Sequence, residues 1–248
     1  MIDTVILLGS PNSGRRGVIA NCLEMAVSDE SHVAILISES ECESESEKNI
    51  SKFPYAKILK YKDSQDAKEQ ILALENIDML FYVADSNQNV IDELEFLKNL
   101  NESNVIHLVR IWSFIDCKLF LEHGDKVASY YDALSHFCDC MLLSNRSDLK
   151  NAQVEEIIKR YTKMCHPHLI AYVKKDFKCD NPALLLIDEA RRISMAFDAY
   201  DPIDELDLDE ENLPEEPFDL SKKDDPYFVR LENGMRAKTV PLINTFLK

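Results

Sequence analysis

The chain has 248 residues, 46% of them hydrophobic, enough for one large domain with a sizeable core or for a domain plus a tail. Its formal charge of −17 disfavours nucleic acid and anionic membranes as partners. No run approaches ~18 apolar residues, no basic stretch precedes a signal-like segment, and seven cysteines lack regular spacing, so a cytoplasmic protein without a membrane segment is expected.

The first element is an apolar run, Thr4–Leu8. It is followed by Gly9-Ser10-Pro11-Asn12-Ser13-Gly14-Arg15-Arg16 and an amphipathic stretch lined by Val18, Ile19, Cys22, Leu23 and Ala26. Strand, Gly-x-x-x-x-Gly and helix in that order form the frame of a phosphate-binding loop, in which backbone N–H groups cradle the anion. Gly9, Asn12, Ser13, Gly14, Arg15 and Arg16 are the candidate binding residues. The Lys and Ser/Thr that complete such a loop are replaced by Arg15 and Arg16. Arginine keeps the charge but is longer and forked, and Arg16 offers no oxygen to Mg²⁺. Two cations at the positive end of a helix dipole cost roughly a few tenths of a kcal/mol each or more, so an anion is expected beside them. It would be a nucleotide phosphate, a free oxyanion or an acidic side chain.

Further strands are predicted over His32–Ser38, Lys57–Lys60, Ile77–Ala84, Asn104–Trp112, Cys140–Ser144 and Leu169–Val173. Several are continuous apolar runs, as in strands covered on both faces. The Ser/Glu run at 38–48 carries a net −4 and reads as a solvated acidic loop. Helical spacing recurs at Val127, Tyr130, Tyr131, Leu134 and Phe137, and again at Val154, Ile157, Ile158, Tyr161 and Met164. This alternation predicts a three-layer α/β/α sandwich over residues 1–180 with a mainly parallel sheet and a site at the carboxyl ends of its strands.

Asn181-Pro182 reads as the start of a last helix over 181–200, with Leu186, Ala190, Ile193 and Phe197 facing inward and Arg191-Arg192 on a solvated face. Residues 201–226 hold twelve acids against Lys222 and Lys223 and read as a flexible acidic linker, one able to fold over the basic loop. Residues 227–248 regain apolar character as a docking segment. Cys138, Cys140, Cys165, His166 and His168 lack standard zinc-ligand spacing. Cys138 and Cys140, two apart, are expected on one face of a strand, and no metal site is expected.

Four segments in order resemble the CobW-like family of P-loop GTPases, which contains metal chaperones. They are the opening loop, His32-Val-Ala-Ile-Leu-Ile-Ser-Glu39, Trp112-Ser-Phe-Ile-Asp-Cys-Lys-Leu-Phe120, and Phe137-Cys-Asp-Cys-Met-Leu-Leu-Ser-Asn-Arg-Ser-Asp148. The resemblance covers about residues 1–175 and implies a P-loop NTPase-like fold and GTP or GDP as ligand. It implies that Asn145 steadies the phosphate loop, Arg146 lies against the base and Asp148 accepts hydrogen bonds from guanine. It also makes Glu39 and Asp85 secondary candidates near the nucleotide.

The departures from the family matter as much. In the family, the fourth strand's Asp is followed by Glu five residues on and Gly eight residues on; here Asp78 is followed by Val83 and Ser86. The family's Cys-x-Cys-Cys motif is reduced to Cys42. Mg²⁺ use is therefore disfavoured. The resemblance implies a nucleotide-binding protein with weak or absent hydrolysis, regulatory or chaperone-like. The alternatives are a pseudo-GTPase scaffold that binds an unknown protein partner, and an active GTP-dependent metal chaperone.

Overall fold

A computed structural model describes residues 1–41, 45–198 and 224–247 of the chain, without the side chains of residues 45 and 46. Most of the expected acidic linker, its closure over the basic loop, and Cys42 lie outside the described residues. Seven parallel strands form one sheet: β1 (Ile2–Gly9), β2 (Val33–Ser38), β3 (Ala56–Tyr61), β4 (Met79–Val83), β5 (Ile106–Asp116), β6 (Cys140–Ser144) and β7 (Leu169–Tyr172). Their order is β3-β2-β4-β1-β5-β6-β7. Every predicted strand is present. β5 is longer than its prediction and runs past Trp112 to Asp116.

The helices are α1 (Arg15–Met25), α2 (Glu45–Ile50), α3 (Ser64–Leu72), α4 (Val90–Glu102), α5 (Cys117–His123), α6 (Asp125–Phe137) and α7 (Asn151–Lys163). Alternate strand residues point to opposite faces, so the core divides in two. Val5, Leu7, Ile35, Phe81 and Trp112 pack with Val18, Ile19 and Cys22 of α1. Ile6, Leu8, Leu36, Tyr82 and Ile115 pack with α3, α4, α6 and α7. The result is the expected three-layer P-loop NTPase-like architecture. The chain leaves β1 toward one edge and later fills the other, so the strand order reverses at β1. Ligand crevices of open α/β sheets form at that point.

The last helix expected over 181–200 does not form across the described part of that range, residues 181–198. A short 3-10 turn, Pro182–Leu186, is all that appears, and the Asn181 side chain makes no capping bond. Side chains of β5 tie the backbone of this segment to the sheet. Trp112 Nε1 donates to Leu185 O at 2.8 Å, and Arg110 Nε donates to Ile187 O. Leu185 packs on the α1 face, whereas Ala196 and Phe197 pack on the opposite face. The segment must therefore pass from one face of the sheet to the other, and it does so as irregular chain. Ala190 and Ile193 are exposed rather than inward.

Nor are Arg191-Arg192 a solvated helix face. Arg192 is almost fully buried, with both Asp139 carboxylate oxygens 3.0 Å from its Nη1. Asp139, fully buried, also accepts from the backbone N–H of Ile111 at 2.8 Å and of Arg191 at 2.7 Å. Cys138 and Cys140 part to opposite faces, because Cys138 is the residue that caps α6 and β6 starts only at Cys140.

Residues 224–247 lie against the α4–α6 face. Tyr227, Val240 and Ile243 are buried there, and Asp225 accepts from His136 Nε2 at 2.7 Å and Ser194 Oγ at 2.5 Å. Replacing Asp139 by Ala leaves Arg192 and two backbone donors without their shared acceptor. It is expected to cost about 3–5 kcal/mol in urea unfolding. A loss below about 1 kcal/mol would show that this carboxylate does not hold the crossing segment.

Candidate functional site: a phosphate-type loop closed by internal anions

The loops after β1, β2, β4, β6 and β7 meet at the carboxyl edge of the sheet. The β1–α1 loop, residues 10–14, joins the end of β1 to the start of α1. Asn12 and Gly14 take left-handed φ values of 60° and 91°. Ser13 is fully buried, and its hydroxyl donates to Ser10 O at 2.7 Å. Asn145, also left-handed at φ 49°, donates from Nδ2 to Asn12 O at 3.3 Å and to Asp116 Oδ2 at 2.6 Å. The β6 loop thus steadies the β1 loop. Asp116 holds the N-terminus of α5 with its other oxygen, on Leu119 N at 3.0 Å.

Arg15 and Arg16 turn inward, only 4% and 8% exposed. Arg15 donates to Ala84 O at 2.6 Å and to Glu41 Oε1 at 2.5 Å. Arg16 donates to Glu41 Oε2 at 2.7 Å and to Glu47 Oε1 at 2.5 Å. Lys60 from β3 donates to the other Glu47 oxygen at 2.9 Å. Ser86 adds its hydroxyl to Glu41 at 2.9 Å and its amide at 3.3 Å. Burial raises the Glu41 pKa, but the two guanidiniums and the Ser86 hydroxyl outweigh burial and hold this carboxyl below its ordinary range.

The anion expected beside the two arginines is therefore an acidic side chain. It comes from the Ser/Glu run, whose reading as a solvated loop fails at Glu41 and Glu47. Those contacts span 25 to 31 residues of sequence, beyond any local pattern.

Asp85 lies past the end of β4, 5% exposed, and accepts from Ser38 Oγ at 2.9 Å and Ser40 Oγ at 2.8 Å. Glu39 is exposed. Arg16 stands where a loop hydroxyl would face Mg²⁺, and it is bound to two carboxylates. This donor set does not fit that ion. Among the described residues no group of three or more His, Cys, Asp or Glu is placed to hold a metal ion.

A residue the sequence did not single out closes the cleft. Phe177, in the loop after β7 and itself at φ 63°, lies on the first turn of α1. A Cβ on residue 17 would sit 2.3 Å from Phe177 Cβ, and one on residue 14 would sit 2.8 Å from its ring. Only glycines at both positions allow this approach. On one side of Phe177 is a cleft of about 310 Å³ lined by Asn12, Gly14, Arg15, Glu41 and Asn87. On the other is one of about 290 Å³ lined by Asn145, Arg146, Ser147, Lys174 and Lys175. The Arg146 guanidinium rests 4.7 Å over the Tyr172 ring. Asp148 is exposed on the same loop, outside the residues that line this cavity.

Beneath the loops, Glu93 of α4 accepts from Tyr82 Oη at 2.9 Å and Asp85 N at 3.4 Å. Burial pushes its carboxyl up to about 7 against the pull of the Tyr82 hydroxyl.

Two outcomes follow. Gly17→Ala should lower the melting temperature by several degrees through the clash with Phe177 Cβ, and adding Phe177→Gly, which removes that Cβ, should restore most of it. Equal loss in both backgrounds would mean Phe177 does not press on residue 17. The folded-state pKa of Glu93 lies above its ordinary 4.5, so the folded protein holds an extra proton between 4.5 and about 7. Stability should fall as pH rises through that window, by on the order of 2–3 kcal/mol, and Glu93→Gln should flatten the fall in urea unfolding measured from pH 5 to 8.

No family model matches the chain, and no curated protein matches it. Among solved structures it is similar to the Zn(II)-bound YjiA GTPase from E. coli, at 12% identity and a TM-score of 0.48 over 75% of this chain. The chain covers 61% of that structure. A Zn(II)-bound triple mutant of YjiA is similar at 11% identity and a TM-score of 0.46, over 80% of this chain and 69% of the other. FtsY from Mycoplasma mycoides is similar at 12% identity and 0.43, over 79% and 66%.

Proposed function

We propose that the chain is a guanine-nucleotide-binding protein of CobW-like type, regulatory or chaperone-like, with weak or absent hydrolysis. The carrying observation is the β1–α1 loop in its left-handed, phosphate-type conformation, tied by Asn145 to the loop that bears Arg146 and Asp148. The N–H groups of the first turn of a helix have no intrahelical partner and favour an anion. Arg146, Lys174 and Lys175 line the adjoining cavity, a local positive surface on an acidic chain. Such a cavity suits the base and ribose, and the loop suits the phosphates.

Hydrolysis requires charge stabilisation on the terminal phosphate and an oriented water. Here Arg15 and Arg16 are neutralised by Glu41 and Glu47, and Val83 stands where the resemblance asks for a carboxylate. Metal delivery has less support, since the region between β2 and β4 holds only Cys42 among cysteines.

A second reading, a pseudo-GTPase scaffold that binds a protein partner without nucleotide, is favoured by Phe177 lying on the turn that would receive phosphate. Calorimetric titration of GDP, GTP and ADP, with and without Mg²⁺, separates the two. The first reading expects guanine nucleotides to bind at micromolar to submillimolar level, with Mg²⁺ changing Kd less than about threefold. Asp148→Ala should erase the preference over ADP, a loss on the order of tenfold or more. No binding at millimolar nucleotide would leave the scaffold reading standing, and phosphate release at a steady rate would overturn the claim of weak hydrolysis.

A further inference from the structure

We infer that Glu41 is the resident anion of the phosphate loop, placed where a terminal phosphate would lie, and that it restricts the ligand to a nucleoside diphosphate. This inference rests on the nucleotide reading above. In a phosphate loop the residue after the second glycine reaches the β- and γ-phosphates. That residue is Arg15, and its guanidinium is engaged by Glu41 and the Ala84 carbonyl. The next residue, Arg16, grips the other Glu41 oxygen. From the opposite side the Ser86 amide and hydroxyl close on the same carboxylate.

Two guanidiniums, one amide and one hydroxyl thus converge on one buried carboxylate. Mixed charged and neutral donors of this kind are what an oxyanion takes from a protein. A γ-phosphate brought to Arg15 would meet Glu41 at hydrogen-bond range, where two anions repel. The α- and β-phosphates of a diphosphate depend on the loop and helix N–H groups, which Glu41 does not use.

The same contact has a conformational consequence. Glu41 bridges α1 to Ser86, and Glu47 bridges α1 to Lys60 in β3. Segments of this type in nucleotide switches are ordered by the γ-phosphate. In this chain Glu41 makes those contacts from within the protein, so the loops after β2 and β4 are joined with no triphosphate needed.

Two measurements test the inference independently. The first is melting temperature in inorganic phosphate, without nucleotide. Wild type should be insensitive at ~10 mM, whereas Glu41→Ala, with the seat vacated, should gain a few degrees. Glu41→Ser also vacates the seat and carries the same test if Glu41→Ala does not fold. The second is the GTP-to-GDP ratio of dissociation constants. It should be at least about tenfold in favour of GDP for wild type and fall within about threefold for either variant through tighter GTP binding. Absence of phosphate stabilisation in both variants, or a ratio unchanged by substitution, would overturn the inference. If no variant binds nucleotide at all, the nucleotide reading fails, and the phosphate result alone decides the place of Glu41.

Discussion

The arrangement of this site depends on compensating two guanidinium charges buried at the positive end of a helix. Arg15 and Arg16 open α1, where the dipole already disfavours cations, and both are nearly removed from water. Burying an unpaired charge would cost several kcal/mol, so their partners are required for the fold to hold there. Glu41 and Glu47 supply the pairing, and Lys60 and Ser86 complete it. That requirement draws the loop after β2 across the carboxyl edge of the sheet and joins it to the loop after β4.

Phe177 adds a second closure that owes nothing to charge. Its ring lies on backbone made accessible by Gly14 and Gly17, on the other flank of the same helix start. The two closures act on different parts of the crevice. One answers the cations and the other covers the first helical turn. Between them they leave two modest cavities in place of one long groove.

The fold was readable to a large extent because its signals are local. Apolar runs, several of them continuous, marked the strands, and 3.6-residue spacing marked α1, α6 and α7. The spacing Gly9 to Gly14 announced a loop between a strand and a helix, and that loop is present between β1 and α1. The prediction that an anion faces Arg15-Arg16 was also local, since it followed from the dipole alone. The expected helix over 181–200 failed for a non-local reason. Asn181-Pro182 is a sound start signal, but Trp112 and Arg110 hold the backbone at Leu185 and Ile187, and the chain must bring Leu185 and Phe197 to opposite faces of the sheet. Arg192 likewise had no local sign of its buried carboxylate, Asp139, 53 residues away.

By itself the sequence determined the parallel sheet, the phosphate-type loop, the loss of the lysine and hydroxyl positions, and the need for an anion. Each is set within a few residues by hydrophobic period, glycine conformation or charge. Only the tertiary structure decided that an internal carboxylate is the anion: among the described side chains of the Ser/Glu run, Glu41 and Glu47 meet the arginines while Glu39 is exposed. It also decided that Phe177 covers the helix start, a contact made when β7 returns beside β6 and delivers its loop to the first turn of α1.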